Sequence, residues 1–193
     1  MANNPVISRF LTATSWASPE ETLTAPITTS DPEAYDFLTI LKTYAEHQTL
    51  ATQQDYFSLS KWDGGHDEYH HDGTTCVTLE YKADSAAKVR SMLPHLGFAA
   101  YEIETRNGRA NTVLFAFPVS EPLDHLETTR AASLIAEALE CTGLKNHSFL
   151  YTYFFRFRPS GTVAFHEGAL VSRKFLAAAN DAKLFVEIKR WMR

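Results

Sequence analysis

The densest group of side chains able to bind a metal or move protons lies between Asp63 and Asp72. It comprises Asp63, His66, Asp67, Glu68, His70, His71 and Asp72, with Gly64, Gly65 and Gly73 around it. Imidazole and carboxylate suit zinc, iron or manganese, and His66, His70 and His71 would be the nitrogen donors of such a site. Metal ligands need a second shell that orients them, and a polar loop shows none, so a hydrated surface loop is the favoured alternative. Arginine offers different chemistry. Arg106 with Arg109, and Arg156 with Arg158, are placed to contact phosphates, while Tyr151, Tyr153 and Phe155 alternate along one segment where rings can stack on bases. Solvated charges and sheet core are the bland alternatives for these two sets. No GxxxxGK[ST] loop, HExxH pair or Gly-x-Ser-x-Gly elbow occurs, so nucleophilic catalysis through a triad has no support. Cys76 and Cys141 lack metal-site spacing and are expected to be reduced core thiols.

These residues must be carried by a small set of elements. Ser30-Asp31-Pro32 is a helix start, and Phe37, Leu38, Leu41, Tyr44 and Ala45 recur at helical spacing, which predicts a helix over 32–48. Tyr56 to Trp62 reads as a strand and 63–73 as an exposed loop. Thr75 to Lys82 is strand-like, Asp84 can cap a helix over 85–96, and a second strand is expected over 98–105. Asn107-Gly108 is a hairpin signal leading into a third strand at 111–117. Ser120-Glu121-Pro122 then predicts the start of a long helix to about 141, closed by Gly143, and 148–157 reads as a fourth strand.

The order β-α-β-β-α-β predicts an α+β fold of the split, ferredoxin- or RRM-like kind, with two helices on one face of a four-stranded antiparallel sheet. Residues 1–30, rich in Thr, Ser, Ala and Pro, are expected to be an arm packed on a single domain over 31–193 whose core is 75–157. Around that core stand an N-terminal helical extension and a C-terminal hairpin with helices. The latter comprise a short strand at 162–166 and helical pieces at 172–179 and 181–191, the last amphipathic through Leu184, Phe185, Ile188 and Trp191.

A chain of 193 residues, 45% of them hydrophobic, can bury a core, and no window approaches the roughly 20 apolar residues of a membrane span. No leader segment is visible at the Met-Ala-Asn-Asn start, so a cytoplasmic location and no membrane partner are expected. The formal net charge of −5 matters more. Nucleic-acid binding draws on Lys and Arg contacts to phosphate, so an acidic chain must gather its cations locally or bind something else.

Val113-Leu114-Phe115-Ala116-Phe117-Pro118-Val119-Ser120-Glu121-Pro122-Leu123, a following helix, Phe155-Arg156-Phe157-Arg158-Pro159 and the turn Phe165 to Val171 come in a telling order. Over roughly residues 55–176 that order resembles the primase-polymerase (archaeo-eukaryotic primase) domains of phage and plasmid replication proteins. The resemblance implies single-stranded or primed nucleic acid as partner. It also implies nucleotidyl transfer on Mg2+ or Mn2+ held by an Asp-x-Asp pair, a hairpin His and a third acid. Here Glu80 stands for the first carboxylate, as the candidate catalytic and metal-binding residue, but Lys82 occupies the place of the second. The hairpin carries Arg106, Asn107, Arg109 and Asn111 and no His, so a catalytically degenerate domain is expected. The alternative from charge alone is a non-enzymatic, phage- or plasmid-encoded acidic inhibitor of the anti-CRISPR type. Such a protein would occupy the basic groove of a host nucleic-acid-binding defence complex.

Overall fold

A computed structural model of the chain describes residues 7–12, 27–29, 37–47, 54–62, 71–107, 110–139, 155, 158 and 160–178. In chain order its elements are β1 (Ile7–Thr12), β2 (Ile27–Thr29), α1 (Phe37–His47), β3 (Gln54–Ser58), β4 (Ser60–Trp62), β5 (His71–Lys82), α2 (Ala83–Leu96), β6 (Ala100–Asn107), β7 (Ala110–Leu123), α3 (His125–Ala138), β8 (Val163–His166) and α4 (Arg173–Ala178). They form a three-stranded sheet ordered β2-β1-β3 and a five-stranded sheet ordered β4-β5-β7-β6-β8, in which every strand pair is antiparallel. Among the described residues no helix is long and apolar enough to cross a membrane.

The α+β class is as expected. Strand β7 lies between β5 and β6, with α2 and α3 as the connections that flank the β6/β7 hairpin. Alternation along the strands decides which side chains meet the helices. Val77, Leu79 and Tyr81 of β5 and Val113, Phe115, Phe117 and Val119 of β7 pack with Ala86, Val89, Leu93 and Leu96 of α2 and with Ala131, Ala132, Ile135 and Ala136 of α3. Burying a leucine or phenylalanine here contributes on the order of 1.5–3 kcal/mol, so this layer is the main source of stability. Helix α2 stops where Gly97 adopts a left-handed φ of 72° and its N–H reaches the Leu93 carbonyl.

The opposite face of the sheet is also covered, which corrects the expectation of helices on one face alone. Cys76, Tyr101, Ile103, Leu114 and Ala116 pack with Phe37, Leu41 and Ala45 of α1 and with Phe57, Leu59 and Phe155. The phenylalanine ring of Phe37 meets Tyr101 edge-on at 5.0 Å. A sheet with apolar residues on both faces needs two covers, and α1 with β3 supplies the second.

Several boundaries differ from the expectations for physical reasons. The expected strand 56–62 is divided at Leu59, with β3 in one sheet and β4 in the other. The Leu59 carbonyl accepts from the backbone N–H of Thr75 at 3.0 Å and from its hydroxyl at 2.9 Å, which fixes the bend. Residues 1–30 are not simply an irregular arm, because Ile7–Thr12 and Ile27–Thr29 pair as β1 and β2. The strand expected from Thr75 begins at His71, inside the expected loop. Ser120-Glu121-Pro122 does not start a helix; it continues β7, whose Leu123 pairs with Thr74. The helix start is Asp124, whose carboxylate accepts from Glu127 N at 2.8 Å while Glu127 accepts from Asp124 N at 3.1 Å, a capping box.

The expected fourth strand, 148–157, lies outside the described residues except for Phe155. Its backbone bridges Phe57 of β3 rather than β5, and the place beside β5 is held by β4. The expected helix 181–191 also lies outside the described residues.

Candidate functional site

Glu80 points to the α1 side of the five-stranded sheet and is only 4% exposed. Its Oε1 accepts from the hydroxyls of Thr105 at 3.0 Å and Thr112 at 2.7 Å, and the two threonine oxygens are 2.9 Å apart. Register explains the meeting: Thr105 is directly opposite Thr112, and Thr112 is opposite Lys82 on β5. The cluster is a buried polar knot tying three strands together. Glu102 and Glu104 stand on the other face of β6, where Glu102 reaches Arg90 of α2, so the sheet separates them from Glu80. Among the described residues no three His, Cys, Asp or Glu side chains are placed to share a metal ion. One carboxyl group engaged by two threonines, with Lys82 exposed on the same face, does not fit a site that needs converging carboxylates around magnesium or manganese.

The candidate phosphate-contacting residues divide. Arg158 lies 2.8 Å from Glu104 Oε2, and its backbone N–H donates to the Glu104 carbonyl at 3.0 Å. Arg106, half-buried, is two residues further along β6 on the same face, about 7 Å away by strand rise. Glu104 thus neutralises Arg158, while Arg106 shares the face of β6 that carries Glu104. Arg109, Tyr151, Tyr153, Arg156, His66 and His70 lie outside the described residues.

The same pairing recurs at the other arginines with described partners. Arg90 donates to Glu102 Oε1 at 2.7 Å from Nε, and His166 of β8 meets Glu102 Oε2 at 3.0 Å. Burial alone would raise the Glu102 carboxyl, but the hydrogen bonds from Arg90 and His166 outweigh it and hold the group below the usual carboxylate range.

His71 belongs to a different constellation. It opens β5, half-buried, with Nε2 3.2 Å from Thr74 Oγ1. It lines an open cleft of about 370 Å³ together with Asp72, Gly73, Pro122, Leu123, Asp124, His125 and Arg173. Burial, and then the neighbouring His125, push the His71 imidazole below its ordinary value, while Asp72 and Asp124 oppose the shift. Arg173 closes one side. Its Nε and Nη2 grip Glu127 at 2.9 and 3.2 Å, Nη1 meets Glu121 at 3.1 Å, and Nη2 also donates to the Pro122 carbonyl at 3.3 Å. Glu127 therefore serves the helix cap and the arginine at once. Sequence reading singled out His71 but missed His125, Asp124 and Arg173. The Asp124-x-x-Glu127 spacing was the available signal for the cap; nothing local marks Arg173 as its neighbour.

The chain gives no significant match to a family model, to a curated protein or to a solved structure.

Proposed function

We propose that this chain is a non-enzymatic docking domain for a basic protein partner, the class to which acidic inhibitors of nucleic-acid-binding complexes belong. The observation behind it is that three of the chain's arginines are neutralised by its own carboxylates. Arg90 is paired with Glu102, Arg158 with Glu104 and Arg173 with Glu121 and Glu127, in a chain of formal net charge −5. A phosphate backbone gains affinity by replacing counterions with free cations, and guanidinium groups held by internal carboxylates contribute little to that exchange. The residue best placed for catalysis, Glu80, is buried with two threonine hydroxyls on it, and the sheet face around it is occupied by α1 and β3. A base-stacking surface of the RRM kind needs that face open.

The test compares two labelled ligands by fluorescence anisotropy at low and moderate salt: a single-stranded oligonucleotide and an arginine-rich peptide. Binding of the peptide, weakening with salt, with no binding of the oligonucleotide at either salt, supports the docking function. Oligonucleotide binding with a steep salt dependence would replace it with the primase-like, nucleic-acid-binding alternative. Primer synthesis with magnesium or manganese that is abolished by Glu80→Ala would add the enzymatic activity.

A further inference from the structure

We propose, on the basis of that partner class, that the cleft between the start of β5 and the N-terminus of α3 receives a lysine or arginine side chain of the partner, and that His71 and His125 make its capture dependent on pH. The charge balance of the cleft points to a cation. Arg173 is the guanidinium in its wall, and its donors are already taken by Glu127, Glu121 and the Pro122 carbonyl. Among the described residues neither Asp72 nor Asp124 has an ion-pair partner, although both line the cleft and both are exposed. Asp124 uses one carboxylate oxygen, Oδ1, to accept from Glu127 N at 2.8 Å. Gly73, Pro122 and Leu123 supply the apolar part of the lining, on which the aliphatic stem of a long basic side chain can lie while its head meets the carboxylates. Gly73 excludes a side chain at this point of the lining: its φ is +127°, and a Cβ there would stand 2.8 Å from the Pro122 Cβ.

The histidines set the pH range. The charged and titratable groups around the cleft are His71 and Asp72 of β5, Glu121 of β7, Asp124, His125 and Glu127 at the start of α3, and Arg173 of α4. Protonating either imidazole adds a positive charge to the cleft and repels an incoming cation, so capture weakens as pH falls through the histidine range; burial holds the His71 imidazole below its ordinary value.

The probe is N-acetyl-arginine amide, with the uncharged N-acetyl-citrulline amide as control. Each is titrated into the full chain while the imidazole C–H resonances of His71 and His125 are followed by NMR. Saturable shifts are expected with the arginine compound at pH about 7.5, weaker by about tenfold at pH about 5.5, and none with citrulline. Asp72→Asn combined with Asp124→Ser, which keeps an N-cap oxygen, should weaken binding at least threefold with unchanged signal dispersion; the single Asp72→Asn variant should weaken it less. His71→Gln with His125→Gln should bind at both pH values alike. Equal shifts with citrulline, no saturation, or unaltered binding in the double aspartate variant would overturn the site. An arginine-rich peptide that binds wild type and the double aspartate variant equally overturns the cleft but leaves the docking function standing. A peptide that binds neither overturns both.

Discussion

Replacing Thr112 with valine tests whether the Glu80 cluster is a structural knot or a reserved chemical group. The substitution keeps the side-chain shape in a site that is 5% exposed and removes the hydroxyl 2.7 Å from Glu80 Oε1 and 2.9 Å from Thr105 Oγ1. A hydrogen bond to a neutral acceptor contributes about 1 kcal/mol and one to a charged acceptor about 1.5–3 kcal/mol. The valine methyl offsets part of that by up to about 0.8 kcal/mol of apolar burial. A net loss of about 1–2 kcal/mol is expected. At this chain length it corresponds to a fall of roughly 3–6 °C in Tm. The assay is urea unfolding followed by circular dichroism, with the m value required to stay constant so that the change is one of stability. Thr105→Val should behave alike, and the double variant should cost less than the sum, because the two hydroxyls share one acceptor. Glu80→Leu in the double-valine background should recover much of the loss, since an apolar trio leaves no buried acceptor wanting donors. A Thr112→Val variant within about 0.5 kcal/mol of wild type would refute the structural role.

Three further outcomes follow from single contacts. Because burial and His125 depress the native His71 imidazole, the unfolded chain binds that proton first; the associated stability is complete above pH about 6.5 and declines as pH falls through the depressed native value. Urea midpoints should therefore drop between pH about 7.5 and 5.5 less in His71→Gln than in wild type, and an equal drop would count against this linkage. Burial drives the Cys76 thiol well above its ordinary range, so in a Cys141→Ser background Cys76 should react with a thiol reagent only at the rate of unfolding; fast labelling of the native chain would contradict its burial. Gly168→Ala should destabilise by about 1–3 kcal/mol in the same urea assay. An added Cβ would press on the Phe98 carbonyl carbon and lie 2.5 Å from Ala99 N, where the Ala99 to Ala169 and Ala169 to Gly97 hydrogen bonds hold the chain; a neutral result would mean that this segment can move away.

Local structure is legible in the sequence where the responsible atoms are close along the chain. The helix over 85–96, the hairpin at Asn107-Gly108 and the short strand at 162–166 appear near their expected places as α2, the β6/β7 turn and β8. Each depends on side-chain period or turn chemistry within a few residues. The helix start at Ser120-Glu121-Pro122 failed because proline after an acidic residue suits an extended chain as well as a first helical turn. Pairing of Leu123 with Thr74 and the bridge of Val119 to Val171 decided in favour of the strand.

The amino-acid sequence by itself determined the α+β class, the two helices packed on one face of the antiparallel core, the acidic balance and the presence of Glu80 and His71 as unusual residues. Those properties are set by composition and by periods of two and 3.6 residues, which any conformation of the segment carries with it. Only the tertiary structure decided that β4 takes the place beside β5, that α1 and β3 close the second face, and that Glu80 is bound by Thr105 and Thr112 while Glu102 and Glu104 look the other way. Strand partners and arginine partners are chosen across the fold, by backbone hydrogen bonds and charges between residues far apart in the chain. Glu104 therefore meets Arg158, and Arg173 reaches the cap of α3, with no local sign in either segment.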